Sequence, residues 1–142
     1  VMVRSEKLEA NALVEAILRG DFYASTGVTL SDIQRDTKSL AIVIEGEENV
    51  TYTTQYIGTR KDFDDTTRPA TDADGKPLPR SSLIYSDTIG EVLHETTALE
   101  STYTFTGDEL YVRARVLSDK PQPNPHAEGD KEMAWVQPVL VR

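Results

Sequence analysis

The stretch TYTFTGDELYVRARVLS, residues 102–118, alternates apolar and polar side chains on both sides of Thr106-Gly107-Asp108. Tyr103 and Phe105 alternate with threonines. Beyond the turn, Leu110, Val112, Ala114 and Val116 share one face, and Tyr111, Arg113 and Arg115 share the other. A period of two is the mark of a half-buried strand. Two such runs around a Thr-Gly-Asp turn predict an antiparallel hairpin.

The same period extends outward. Leu40, Ile42 and Ile44 alternate with Ala41 and Val43, a largely buried strand. Residues 50–60, VTYTTQYIGTR, are rich in Thr and Tyr and predict a long strand with a bulge at Gly58. Residues 82–86 and 91–96 read as shorter strands. Residues 133–141 read as a closing strand, with Pro138 at an edge or bulge and Trp135 in the core. Segments 61–80 and 119–131 are rich in Pro and Asp and read as long surface loops. The expected fold is mainly β: an antiparallel, immunoglobulin-like sandwich of about seven strands.

One segment departs from this period. Over residues 6–19, Ala10, Leu13, Val14, Ile17 and Leu18 form an apolar stripe at helical spacing. Ser5 suits the N-cap and Gly20 the C′ position. A second line of Leu8, Ala12 and Ala16 suits close approach of another element. The expected organisation is a helix and exit turn over residues 1–30, then the sandwich over 31–142.

The chain has 142 residues, with 15 Lys and Arg against 24 Asp and Glu, a net charge of −9. Such a chain repels phosphate backbones, which argues against a nucleic-acid partner. No apolar run approaches the ~18 residues of a membrane span. There is no cysteine, which excludes disulfides and thiol nucleophiles. Asp87, Glu91, Glu95, Glu100, Asp108 and Glu109 lie in a stretch without Lys or Arg and read as a solvated acidic face.

Chemistry-bearing motifs are sparse. His94 and His126 have no metal-ligand spacing, and His126, near Glu128 and Asp130, reads as an exposed loop residue. Asp72-Ala73-Asp74-Gly75 begins like a calcium loop, but no terminal Glu completes it. Ser25 has no nucleophile-elbow spacing. Arg19-Gly20-Asp21 reads as a helix end, and Asn49-Val50-Thr51 is only a formal glycosylation sequon. No residue is assigned as catalytic or as a metal ligand. Tyr111, Arg113 and Arg115 form a basic, aromatic stripe suited to an anion, a sugar ring or a neighbouring domain.

The run ALVEAILRGDFYASTGVTL, residues 12–30, resembles the last barrel helix and exit turn of the PHP (polymerase and histidinol phosphatase) metal-dependent phosphoesterases. The matching residues are Ala16, Leu18, Arg19, Gly20, Phe22, Tyr23, Ser25 and Gly27. YTTQYIGT (52–59), TGDELYVRARV (106–116) and GDKEMAWVQPV (129–139) follow in the order found in such proteins. The resemblance implies a C-terminal portion of a PHP-type protein, cut near the last barrel helix and beginning at Val1 rather than Met. The divalent metals, Mn, Zn or Fe, and the hydrolysis belong to the preceding catalytic domain. On this reading Leu8, Ala12 and Ala16 meet the catalytic domain, or self-associate without it. Tyr23, Ser25 and Thr26 reach toward its site. The alternative is an autonomous sandwich that binds a carbohydrate or surface ligand. Localisation is left open.

Overall fold

The computed structural model describes residues 1–78 and 83–142. In chain order the elements are β1 (Met2–Val3), α1 (Ala10–Leu18), β2 (Phe22–Ser25), β3 (Leu30–Arg35), β4 (Ser39–Ile44), β5 (Tyr52–Arg60) and β6 (Thr67–Pro69). Then follow β7 (Leu83–Tyr85), β8 (Glu91–Thr96), β9 (Glu100–Thr104), β10 (Glu109–Pro121), β11 (Lys131–Val136) and β12 (Val139–Leu140).

The expected sandwich is present. The large sheet has the order β1-β2-β11-β10-β5-β8, with β12 also on β10, and the smaller sheet has the order β3-β4-β9. All pairings in both sheets are antiparallel. Seven strands account for the immunoglobulin-like arrangement. In that frame β3, β4 and β9 correspond to A, B and E, and β5, β10 and β11 to C, F and G, while β8 flanks C. Strands β1, β2 and β12 are additions, so the described residues form more strands than the sequence predicts.

The core lies between the sheets. Strand β4 buries Leu40, Ile42 and Ile44, and β10 buries Val112, Ala114 and Val116 against them. Tyr52, Tyr56, Ala134 and Val136 complete the layer from the large sheet. Tyr56 is fully buried on β5 and stacks on Tyr103 of β9, with ring centroids 5.5 Å apart.

Residues 102–118 form no hairpin. Strand β9 pairs with β4 in one sheet and β10 with β5 in the other, so residues 105–108 cross between sheets. The cause is Glu109, fully buried at the crossing. Its carboxylate accepts hydrogen bonds from Tyr103 Oη at 2.7 Å, the Thr106 amide at 3.1 Å and the Gly107 amide at 3.0 Å. Burial pushes this carboxyl up, but those hydrogen bonds outweigh it and bring it down to about 2. Tyr103 is pushed up to about 12, by burial first and then by the Glu109 charge. A register shift between Glu109 and Tyr111 leaves Leu110 exposed, off the expected apolar face.

Three other expectations change. The shift in the β5–β8 ladder falls between Tyr56 and Ile57 rather than at Gly58. Segment 61–80 is not wholly loop: β6 pairs with β7 in an exposed two-stranded arm, and Thr71 bridges to Pro77. Part of the strand expected at 82–86 and the end of this segment lie outside the described residues. The closing strand breaks at Gln137-Pro138 into β11 and β12, both on β10, because proline cannot donate to the ladder.

The helix is shorter than its pattern. Glu9 is the N-cap, without a side-chain hydrogen bond, and Ser5 Oγ instead bonds to the Lys7 carbonyl at 2.9 Å. The C-terminus follows expectation. The Gly20 amide donates to Ile17 O at 3.0 Å and the Asp21 amide to Ala16 O at 2.9 Å. These are the paired bonds of a Schellman motif, and Gly20 has φ +77° at its left-handed position.

Candidate functional site

The region singled out by the sequence lies where the N-terminal segment meets the sandwich. Strand β2 pairs with β11 through Tyr23, Ala24 and Ser25, and β1 pairs with β2. Residues 22–25 are therefore strand, hydrogen-bonded into the large sheet. Their entry angle is set by Gly20, and an ion-pair group holds it. Asp21 takes Arg19 Nε at 2.9 Å and Arg35 at 2.8 Å. The Asp of Arg19-Gly20-Asp21 is thus occupied within the chain.

The three expected hydroxyl residues are all bonded to backbone groups of this chain, Thr26 while exposed. Tyr23 is buried, and its Oη accepts the Leu30 amide at 3.0 Å. Ser25 Oγ donates to Val28 O at 2.6 Å and accepts the Gly27 amide at 3.0 Å. The Thr26 amide donates to Met133 O at 2.9 Å, and Thr26 Oγ1 accepts the Met133 amide at 2.9 Å. Gly27 leaves room for Glu132: a Cβ there would lie 2.1 Å from the Glu132 carboxyl carbon. Glu132 is only 3% exposed, with Lys120 Nζ at 3.7 Å. An acid on an alternating strand gave no sequence sign of this burial.

A cavity of about 210 Å³ opens beside this turn. Val3, Phe22, Tyr23, Leu30, Ile33 and Val136 give it apolar walls, and Arg4, Asp21, Asp32 and Arg35 stand at its edge. Arg4 pairs with Asp32, whose carboxyl is held below its ordinary range by Gln34 and then Arg4. Both edge acids are paired with guanidiniums. The cavity can take a small apolar group.

Of the line Leu8, Ala12 and Ala16, one end is taken up within the chain and the other is left exposed. Ala16 is fully buried within the chain and Ala12 is half-buried, whereas Leu8 is 93% exposed. Val14, Ile17 and Leu18 of the broader stripe are exposed, as are Val1 and Met2. The small residues let the helix sit close, so the larger apolar side chains are left outside.

Elsewhere, Asp72 Oδ1 accepts the amides of Asp74 and Lys76 in an exposed turn. His94 is exposed and stacks on Tyr56, with centroids 6.1 Å apart, and His126 is exposed in its loop. Among the described residues no group of three or more His, Asp or Glu side chains could hold a metal ion. No helix among them is long and apolar enough to cross a membrane.

The outer face of the large sheet differs from its expected character in one residue. Trp135 is not in the core. It is half-buried on that face, with the guanidinium carbons of Arg113 and Arg115 at 4.5 and 4.9 Å from its ring centroid. The alternation of Met133 and Trp135 against buried Ala134 and Val136 was the available signal.

No protein-family model, curated protein or solved structure matches the chain.

Proposed function

We propose that this sandwich is a non-catalytic accessory domain of a PHP-type phosphoesterase, packing on the barrel that the resemblance implies upstream. The observation that carries this reading is the uncovered apolar surface of Leu8, Val14, Ile17 and Leu18, on the segment whose sequence resembles the last barrel helix. Contiguous apolar surface of this kind marks an interaction site. The helix would be shared: its alanine line against the sandwich and its broad stripe against the barrel. Hydrolysis would belong to the barrel, where metal ions polarise the phosphoryl group and supply hydroxide. Tyr23, Ser25 and Thr26 would shape the junction through backbone hydrogen bonds rather than touch substrate.

The test is metal content of the tag-free chain, together with phosphodiester hydrolysis in added Mn²⁺ or Zn²⁺. The expected result is no retained metal and no turnover. Turnover that follows bound metal would overturn the accessory role and direct attention to His94 and His126. The second reading, an autonomous ligand-binding sandwich, is favoured by one observation, the outward-facing Trp135 with two arginine guanidiniums against its ring.

A further inference from the structure

The outer face of the large sheet holds charge that the accessory reading leaves unused. Arg113 and Arg115 are two positions apart on β10, so both side chains leave the same face, their Cα atoms roughly 7 Å apart at ordinary strand rise. Arg115 is the register partner of Trp135 on β11. Both guanidiniums lie within cation–π distance of that one ring. The indole attracts each cation but neutralises neither.

Four other arginines of the sandwich and its N-terminal junction show the contrast, while Arg68 and Arg142, both exposed, also have no carboxylate partner among the described residues. Arg4, Arg19, Arg35 and Arg60 each have a carboxylate partner. Among the described residues Arg113 and Arg115 have none. Arg115 Nε donates to Gln55 Oε1 at 3.0 Å, and the Gln55 amide donates to Glu95 at 2.6 Å, so that carboxylate stays one side chain away. Arg113 Nε is buried and has no hydrogen-bond acceptor. A desolvated donor on a cation is costly unless an acceptor reaches it. In a chain of net charge −9, this is a local concentration of unneutralised positive charge.

We propose that this face binds a phosphate-type dianion between the guanidiniums of Arg113 and Arg115, with Trp135 as their platform. Two charges of +1 balance one dianion, whereas a single carboxylate would leave one unmatched. Planar guanidinium forks also suit phosphate oxygens better than an ammonium does. The ligand is either a free phosphate ion or a phosphate monoester. The inference does not depend on the accessory reading.

Trp135 is the only tryptophan among six tyrosines, so fluorescence excited selectively at tryptophan reports this site alone. The experiment titrates the tag-free protein with inorganic phosphate, phenyl phosphate, succinate and sodium chloride at fixed ionic strength. A saturable change with phosphate and none with chloride is expected. Arg113→Gln and Arg115→Gln should each weaken it at least about tenfold, the scale of a lost charge-assisted hydrogen bond. Arg113→Lys should fall between, having charge without the fork. The ¹⁵N resonance of Arg113 Nε in the unmodified protein should move with phosphate, a readout that needs no variant to fold. Binding of phenyl phosphate as well supports an esterified ligand; its rejection supports the free ion. The proposal is overturned by no saturable change together with a static Nε resonance, by an equal response to chloride, or by succinate binding as tightly as phosphate.

Discussion

Strand β10 and helix α1 both carry an apolar stripe at the period of their own secondary structure, but only one stripe is covered. On β10, Val112, Ala114 and Val116 are fully buried beneath β4. On α1, Val14 is 55% and Leu18 is 81% exposed, while Ala16 is the buried residue. Periodicity states which residues share a face, because it follows from backbone geometry. It does not state what lies against that face. For β10 the cover is another strand of the same chain; for α1 the described residues leave Val14 and Leu18 mostly uncovered.

The comparison can be broken by substitutions that should differ in cost. Leu40→Ala, opposite β10, should be the most damaging, losing about 2–5 kcal/mol in chemical denaturation, as buried leucines do. Glu109→Gln should cost on the order of 2 kcal/mol, because one acceptor oxygen becomes an NH2 donor while the amides of Thr106 and Gly107 still need acceptors. The same group gives a pH dependence. Its folded pKa is depressed from 4.5 to about 2, so its contribution is present above about pH 4.5 and lost as pH falls toward 2. Acid titration of stability should therefore be flatter over that window in Glu109→Gln than in the parent.

Gly20→Ala should cost about 1 kcal/mol through the left-handed φ of +77° alone, read as a fall in melting temperature. Leu18→Glu should cost least, within about 0.5 kcal/mol, since the side chain is exposed. Sedimentation of Leu18→Glu against the parent sharpens the contrast. Any self-association of the parent should diminish in the variant while stability holds. A large loss of stability would mean that the stripe is covered within the chain after all.

The strands β4, β5, β8 and β10 and the Gly20 helix end were legible because each rests on local physics: side-chain alternation, β-branched content, or a required positive φ. The pairing of β9 and β10 was not. A Thr-Gly-Asp turn suits a hairpin as well as a crossing between sheets, and Glu109 decides for the crossing only once Tyr103 and two amides surround it. Glu109 looked like one more member of an acidic run. Trp135 looked like core because it sits mid-strand, yet its parity with Met133 put it outside.

The candidate site divides in the same way. Tyr23, Ser25 and Thr26 were grouped only by the resemblance of residues 12–30, and their hydroxyls are consumed by Leu30, Val28 and Met133. Arg113 and Arg115 were recognisable as a basic stripe, but the indole beside them came from a strand twenty residues away in sequence.

The sequence by itself determined the mainly-β class, the single helix and its C-terminus, and which residues of β4 and β10 share a face, since these depend on neighbours within a few positions. Only the tertiary structure decided which sheet each strand joins, which helix face is buried, and which arginines lack a carboxylate. Those outcomes depend on groups that meet across long chain separations, where hydrogen-bond satisfaction and burial, rather than local preference, select the partner.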